Sequence, residues 1–224
     1  MVEVKLIVKE KCIPVGNIDS KECFERAGNN EIYKKALFFD LEHYIYKKPI
    51  CIGVFGCAYY DEGLKEIKLT QYMIENKSDA MKILNLAKKY FQKAKKEFNK
   101  EYIVTFSGNN DFTIINYLFE KNNIDIKVNE YFKSLDLQKE YEKISGKVIG
   151  LKNLEKIFNI SRESELIGGA TLAKTFSKVI KDDDYFNRMP DEKKTKILSY
   201  NSQDVTSLFY MLISWSKYAH KLEE

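Results

Sequence analysis

The sequence contains little proline and glycine, with three and ten residues among 224. Long structureless linkers are therefore not expected, and the length suits one large domain with a well-buried core. No apolar run is long enough to span a membrane, and the N-terminus lacks the apolar segment of a secretion signal. We therefore expect no membrane association.

Histidine and cysteine are also scarce, with two and four residues. The cysteines form no C-x-x-C pair, and neither histidine lies close enough in sequence to suggest a zinc site. Cys51 and Cys57 fall within an apolar run and are interpreted as small buried side chains. This pattern predicts a reducing, cytoplasmic location.

Neither sign of charge dominates, because the chain has 37 basic and 33 acidic residues and a net charge of +4. Such a weak basic excess is more typical of a mixed solvated surface than of a polyanion-binding protein. Aromatic residues make up 13% of the chain, which supplies ample burial and argues against disorder. A nucleic-acid partner must therefore be argued from a site.

Five short apolar segments predict the strands of one sheet, at residues 36–41, 50–60, 66–74, 102–106 and 132–137. Short connections join the first three into an antiparallel meander, and a long helix that begins after Ser78 leads to the fourth. A helix between parallel neighbours forms a right-handed crossover. The predicted fold class is therefore α/β, with a mixed sheet that resembles an RNase H-like sheet of order 3-2-1-4-5 and helices on both faces.

The remaining segments predict the domain limits. Residues 36–224 are expected to form the domain, and residues 1–35 an N-terminal extension with a short helix within residues 19–27. Further helices are expected at residues 151–160, 171–181 and from 190 to 215, with a break at Gly168 and Gly169. An edge strand at the start of the extension is indicated by alternating apolar residues at Val2, Val4, Leu6 and Val8.

Carboxylates stand where these elements begin or end. Asp40 and Glu42 are two apart on the first strand, so both side chains point to one face, where their mutual repulsion would favour a bound cation. Asp111 starts a helix directly after the fourth strand. Tyr200 and Asp204 are four apart in the last helix and share a face.

Each carboxylate has a plain alternative explanation when taken alone: the start of a loop, a helix-capping residue, or an exposed helix position. Together they fall where neighbouring strands and a late helix of an RNase H-like sheet converge. Oxygen ligands of this kind suit Mg²⁺ or Mn²⁺, and two such ions are the usual apparatus for phosphodiester hydrolysis.

The motifs resemble those of the DEDD-type 3′–5′ exonucleases of the tyrosine subtype, and in particular a bacterial group of RNase H-like predicted exonucleases. The resemblance extends over about residues 36–213. It is carried by F-F-D-L-E (38–42), T-F-S-G-N-N-D-F (105–112), S-L-D-L (134–137), L-K-N-L-E-K-I-F-N-I (151–160), I-G-G (167–169) and Y-N-S-Q-D-V-T-S-L (200–208).

This resemblance implies a two-metal 3′–5′ exonuclease that acts on single-stranded DNA or RNA ends, with no evident protein partner. Asp40 would bridge the two metal ions, Glu42 and Asp204 would complete the ion on the nucleophile side, and Asp111 would hold the second ion. Tyr200 would orient the attacking water. Asp136 is a second-choice ligand, and a structural role for it is the favoured alternative.

The sequence departs from the family pattern around the substrate. His43 and Tyr44 follow the D-x-E motif where relatives often have threonine and glycine, and Asn110 precedes Asp111 where an aromatic residue is common. The spacing from Ser107-Gly108 to Asp111 is also one residue short. The candidate substrate contacts are Leu41, His43, Asn109 and Asn110, although a surface histidine and turn-forming asparagines explain three of them equally well.

Two other functions stay open from the sequence. A non-catalytic RNase H-like module could bind nucleic acid or a protein, and its Lys-rich helix would suit that role. A related hydrolase could instead cut internally or act on small oligonucleotides.

Overall fold

The computed structural model describes residues 6–162 and 167–219. Its strands are β1 (Ile7–Pro14), β2 (Ala36–Tyr46), β3 (Lys48–Asp61), β4 (Glu66–Met73), β5 (Tyr102–Thr105) and β6 (Lys133–Asp136). Its α-helices are α1 (Asp79–Lys96), α2 (Asn109–Lys121), α3 (Val128–Tyr131), α4 (Leu137–Ser145), α5 (Leu151–Ile157), α6 (Gly169–Lys181), α7 (Tyr185–Arg188), α8 (Asp191–Ile213) and α9 (Trp215–Ala219).

The strands form one six-stranded mixed sheet in the order β1-β4-β3-β2-β5-β6. The pairs β1–β4, β4–β3 and β3–β2 are antiparallel, whereas β5 lies parallel to both β2 and β6. The predicted fold class is confirmed, and the five predicted strands stand in the predicted order. An edge strand was expected in the N-terminal extension, and the sixth strand, β1, lies at the outer edge of β4.

Side chains of β2 alternate between two cores on opposite faces of the sheet. Phe39 packs on one face, with its ring centroid 5.6 Å from that of Phe91 in α1. Phe38 packs on the other, where its ring meets Phe209 of α8 edge to face at 5.4 Å. Because the alternation continues along the strand, Asp40 and Glu42 follow Phe38 onto the face that α8 covers.

Three helix predictions need correction. The helix predicted within residues 19–27 is only a 3₁₀ turn, Ser20–Glu22, because the chain extends at Cys23 and the next amide bonds the carbonyl of Leu212 in α8. The helix expected to run to residue 215 is two helices, α8 and α9, and the helix expected at 151–160 ends at Ile157. Val2 and Val4, on which part of the edge-strand prediction rested, lie outside the described residues.

The glycine pair predicted as a break lies at the start of α6, where Gly168 precedes the helix and Gly169 opens it. Among the helices that the structure describes, none combines the length and the apolar character that crossing a membrane requires.

Candidate metal centre

The first two carboxylates lie near the middle of β2. Asp40 is opposite Gly56 of β3 and Glu42 is opposite Val54, and the register shifts directly after Glu42. Asp40 is partly buried, and Glu42 is only 8% exposed. The shift ends the regular alternation, so the two acids are the last residues that β2 directs to the α8 face before its irregular end.

Helix α8 brings Tyr200 and Asp204 against this part of the sheet. Both are largely buried, because α8 packs along the face of β2 and β3. One carboxylate oxygen from each of Asp40, Glu42 and Asp204 lies within 4.8 Å of the others. The structure therefore brings together three of the four predicted acids, from two elements far apart in sequence.

Asp111 lies in the first turn of α2 and is also buried. It is not part of the set within 4.8 Å, but the charges of Asp40, Asp136 and Asp204 all act on it. Asp111 is thus close enough to couple electrostatically to the other acids. We refer to Asp40, Glu42, Asp111 and Asp204 as the carboxylate cluster.

Asp136 holds the loop that leads to Asp111. Its two oxygens accept hydrogen bonds from the backbone amides of Ser107 at 2.9 Å and Gly108 at 3.1 Å, and it also caps α4 through the amide of Gln138. Gly108 has no room for a side chain, because a Cβ there would lie 2.1 Å from Oγ1 of Thr105. These contacts give Asp136 the structural role that was the favoured alternative.

Burial raises the pKa of every acid in the carboxylate cluster, and the charge of a neighbouring acid adds to the effect. Burial, followed by the charge of Asp204, raises the pKa of Asp40 to about 7. For Glu42 and Asp111 the same causes, burial first and the charge of Asp40 second, raise the pKa well above the ordinary value. Burial also raises the pKa of Asp204, against the opposing effect of Arg162. Charging these four buried acids together is unfavourable, since each charge has lost its hydration and the pairing of Arg162 with Asp204 offsets only part of the cost.

A buried amide relay fixes the orientation of Asp40. Nδ2 of Asn201 in α8 donates to Oδ2 of Asp40 at 2.9 Å, and Oδ1 of Asn201 accepts from Nε2 of Gln71 in β4 at 2.8 Å. Gln71 also donates to the carbonyl of Leu198. Since Gln71 presents a donor, the Asn201 oxygen must face it, and the Asn201 amino group must face Asp40.

Gly56 allows this relay to approach the sheet. A Cβ at Gly56 would lie 2.1 Å from Oδ1 of Asn201, so a side chain at this position and the amide cannot coexist. Sequence reasoning did not identify Asn201, Gln71 or Gly56. Asn201 stands within the Y-N-S-Q-D motif, but only the tyrosine and the aspartate of that motif were interpreted.

Two cations flank the cluster beside α5. Arg162 forms ion pairs with Asp204 and with Glu155 of α5, and Glu155 is only 1% exposed. Arg162 and Lys152 lie over the ring of Tyr200, at 5.5 and 5.0 Å from its centroid. Both cations were absent from the sequence prediction, although arginine is rare in this Lys-rich chain and its position near a motif was a usable signal.

The predicted substrate contacts have different surroundings. Leu41 is buried in the core on the opposite face of β2 from Asp40. His43 is half-buried, burial lowers its pKa, and its Nδ1 has no hydrogen-bond partner within the described chain. Asn109 and Asn110 open α2 on its exposed side, and Asn109 accepts a hydrogen bond from Lys139.

The residues present fit a hard divalent cation. Carboxylate oxygens are the ligands that Mg²⁺ and Mn²⁺ prefer, and a cation would relieve the repulsion that raises these pKa values. The described residues near the cluster supply no thiolate, which argues against a soft-metal site. The geometry therefore supports a metal-binding carboxylate site.

Sheet topology and cluster together define an RNase H-like domain with an acidic site. The sequence model of RNase_H_2, a family of the RNase_H superfamily, matches residues 37–216, and the chain belongs to this family. Comparison with curated proteins gives no match. RNase H-like domains are usually nucleases that use divalent metal ions, so the family and the cluster agree on the general chemistry.

Proposed function

We propose that the protein is a metal-dependent 3′–5′ exonuclease that hydrolyses phosphodiester bonds at the 3′ ends of single-stranded DNA or RNA. The observation that carries this proposal is the convergence of Asp40, Glu42 and Asp204, with Asp111 and Tyr200 beside them. The tyrosine one helical turn before the last aspartate supports the tyrosine subtype of the resemblance.

In this proposal the cluster would hold two Mg²⁺ or Mn²⁺ ions. Asp40, Glu42 and Asp204 would be ligands through the oxygens that already lie within 4.8 Å of one another, and Asp111 would contribute from α2. Such ions, when bound, supply an acidified water and neutralise charge on the phosphate. Asn201 would keep Asp40 in the ligating orientation.

Tyr200 would act as a hydrogen-bond donor. Burial, reinforced by the charges of Asp204 and Glu42, raises the pKa of its hydroxyl, so this group keeps its proton at neutral pH. A protonated phenol can orient a water molecule or a phosphate oxygen, but it cannot act as the general base. His43, Asn109, Asn110 and the backbone at Leu41 are proposed contacts for the nucleotide, and the cytoplasm is the proposed location.

The decisive test follows the products of 5′-labelled single strands of DNA and of RNA with Mg²⁺ or Mn²⁺. We expect a ladder that shortens one nucleotide at a time from the 3′ end. Asp40→Asn and Asp204→Asn should reduce the rate to background, whereas the exposed Asp183→Asn should match the unaltered protein.

Three outcomes would contradict the proposal in different ways. Activity that survives Asp40→Asn would separate hydrolysis from the cluster. Internal fragments among the earliest products would indicate an endonuclease. Strand binding without Mn²⁺ binding would favour the non-catalytic module.

A further inference from the structure

Arg162 is held between the carboxylate cluster and a buried anchor. Its Nη2 donates to Oε1 of Glu155 at 2.8 Å, and its Nε donates to the second oxygen of the same carboxylate. The same Nη2 also bonds Oδ1 of Asp204. The side chains of Arg162, Glu155 and Asp204 are 11%, 2% and 9% exposed. The guanidinium is therefore fixed along one edge by Glu155 and turned toward the cluster along the other.

The remaining nitrogen of this guanidinium lacks an acceptor. Nη1 of Arg162 is buried and has no hydrogen-bond partner in the described parts of the chain. A buried N–H without an acceptor is costly, so an acceptor from a bound molecule would be favourable. A guanidinium edge of two N–H groups matches a phosphate in shape and charge.

The cleft beside Arg162 also suits a phosphate. A cleft of about 730 Å³ between α5 and α8 is lined by Lys152, Lys156, Arg162, Tyr200 and Asp204, among others. Three lining side chains carry positive charge against the two acids Glu155 and Asp204, and both acids are paired with Arg162. Lys152 and Arg162 both lie over the Tyr200 ring. The cleft thus places cations directly beside the carboxylates that would hold metal ions.

A metal ion and Arg162 would compete for Asp204. The oxygen set within 4.8 Å includes an Asp204 carboxylate oxygen, and this carboxylate is already paired with Nη2. A divalent cation at the cluster would therefore weaken this ion pair, while the buried Glu155 keeps the guanidinium nearby. Nη1 and Nη2 would then both be available at the edge of the site.

We propose that Arg162 is a phosphate-binding residue that neutralises Asp204 in the metal-free protein and donates to the substrate phosphate once metal ions bind, with Glu155 as its positioning residue. The identity of the ligand as a phosphodiester or nucleotide phosphate rests on the proposed function. The coupling between Arg162, metal and anion rests on the contacts themselves.

The test measures two affinities in the full-length protein by calorimetry: Mn²⁺ alone, then adenosine 5′-monophosphate to the Mn²⁺-loaded protein. Arg162→Met should tighten Mn²⁺ binding roughly fivefold or more, because a competing cation is gone. The same change should weaken nucleotide binding roughly tenfold or more, because a buried charged donor is lost. The opposite signs separate this role from a structural one, which would weaken both.

Three further variants sharpen the test. Arg162→Lys keeps the charge but lacks the fork, so Mn²⁺ affinity should stay close to that of the unaltered protein while nucleotide binding falls. Glu155→Gln removes the charged anchor and should weaken nucleotide binding without tightening Mn²⁺ binding. Arg188→Met is the matched control. Arg188 lies at the end of α7, its side chain is 60% exposed, and it pairs with Asp182, which is not a member of the carboxylate cluster.

The results also separate this inference from the proposed function. Unchanged or weaker Mn²⁺ binding in Arg162→Met, or nucleotide binding that Arg162→Met and Arg162→Lys leave intact, would overturn the inference even if the protein is an exonuclease. If Arg162→Met fails to fold, Arg162→Lys decides through nucleotide binding. Opposite affinity changes in a protein that hydrolyses no strand would support the anion site and refute the exonuclease.

Discussion

Asp40→Asn should stabilise the metal-free protein at alkaline pH. The pKa of Asp40 is about 7 in the folded protein against an ordinary value of 3.8, so the folded state retains this proton at a pH where the unfolded chain has lost it. Folding is then penalised above pH 7, and the penalty disappears as the pH falls toward 4. A difference of about three pH units at 1.36 kcal/mol each sets a ceiling of about 4 kcal/mol.

The asparagine variant is neutral at every pH, and its carbonyl can still accept the hydrogen bond from Asn201. We therefore expect it to be more stable than the unaltered protein by up to about 4 kcal/mol at pH 8, with a gap that narrows as the pH falls below 7 and closes near pH 4. Urea unfolding in the presence of a chelator, monitored by circular dichroism, measures this gap in the free energy of unfolding. His43 and Lys100 also have lowered pKa values, but both proteins contain them and their effects cancel in the difference.

Mn²⁺ should reverse the order of stability, because only the unaltered protein has the full ligand set and binding stabilises the folded state. Asp183→Asn, at an exposed position, should show no pH-dependent gap. A variant that is less stable than the unaltered protein at pH 8, or a gap that does not change with pH, would mean that Asp40 does not hold its proton in the folded protein as described.

Three other substitutions test neighbouring contacts. Gly56→Ala forces a Cβ toward Oδ1 of Asn201, so it should lower the free energy of unfolding in urea by about 1–3 kcal/mol and weaken Mn²⁺ binding. Normal Mn²⁺ affinity would mean that the relay does not orient Asp40. Asp136→Asn removes a charged acceptor of two loop amides and should lower the free energy of unfolding by about 1–3 kcal/mol. A loss of Mn²⁺ binding without a loss of stability would instead identify Asp136 as a metal ligand. Tyr200→Phe keeps the ring but not the donor, so kcat on single strands should fall roughly 10²-fold with Mn²⁺ affinity unchanged, and an unchanged kcat would exclude Tyr200 from the reaction.

The sheet and the acid positions could be predicted from local patterns. Apolar runs bounded by turn residues defined the five strands, and the spacing of two in D-x-E placed Asp40 and Glu42 on one face. The spacing of four placed Tyr200 and Asp204 on one side of a helix. These predictions succeeded because strand and helix periodicity is a property of the backbone and needs no knowledge of partners.

The contacts around the acids could not be predicted in the same way. Gln71 and Asn201 are 130 positions apart, and Arg162 and Asp204 are 42 apart. Polar side chains of this kind are usually solvated, so a local pattern does not show which partner they find when they are buried. The helix predicted at residues 19–27 was too long for a related reason. A hydrogen bond to α8, which is far away in sequence, holds part of that segment in an extended conformation.

Helix α8 determines the geometry of the site because it supplies three groups within two turns. Asn201 faces the sheet and touches Asp40, while Tyr200 and Asp204 lie on the side toward Arg162. The distance between α8 and β3 at Gly56 therefore sets both the orientation of Asp40 and the separation of Asp40 from Asp204. A displacement of α8 would disturb the two acids together, so metal affinity should respond to packing changes along this helix even where no ligand is altered.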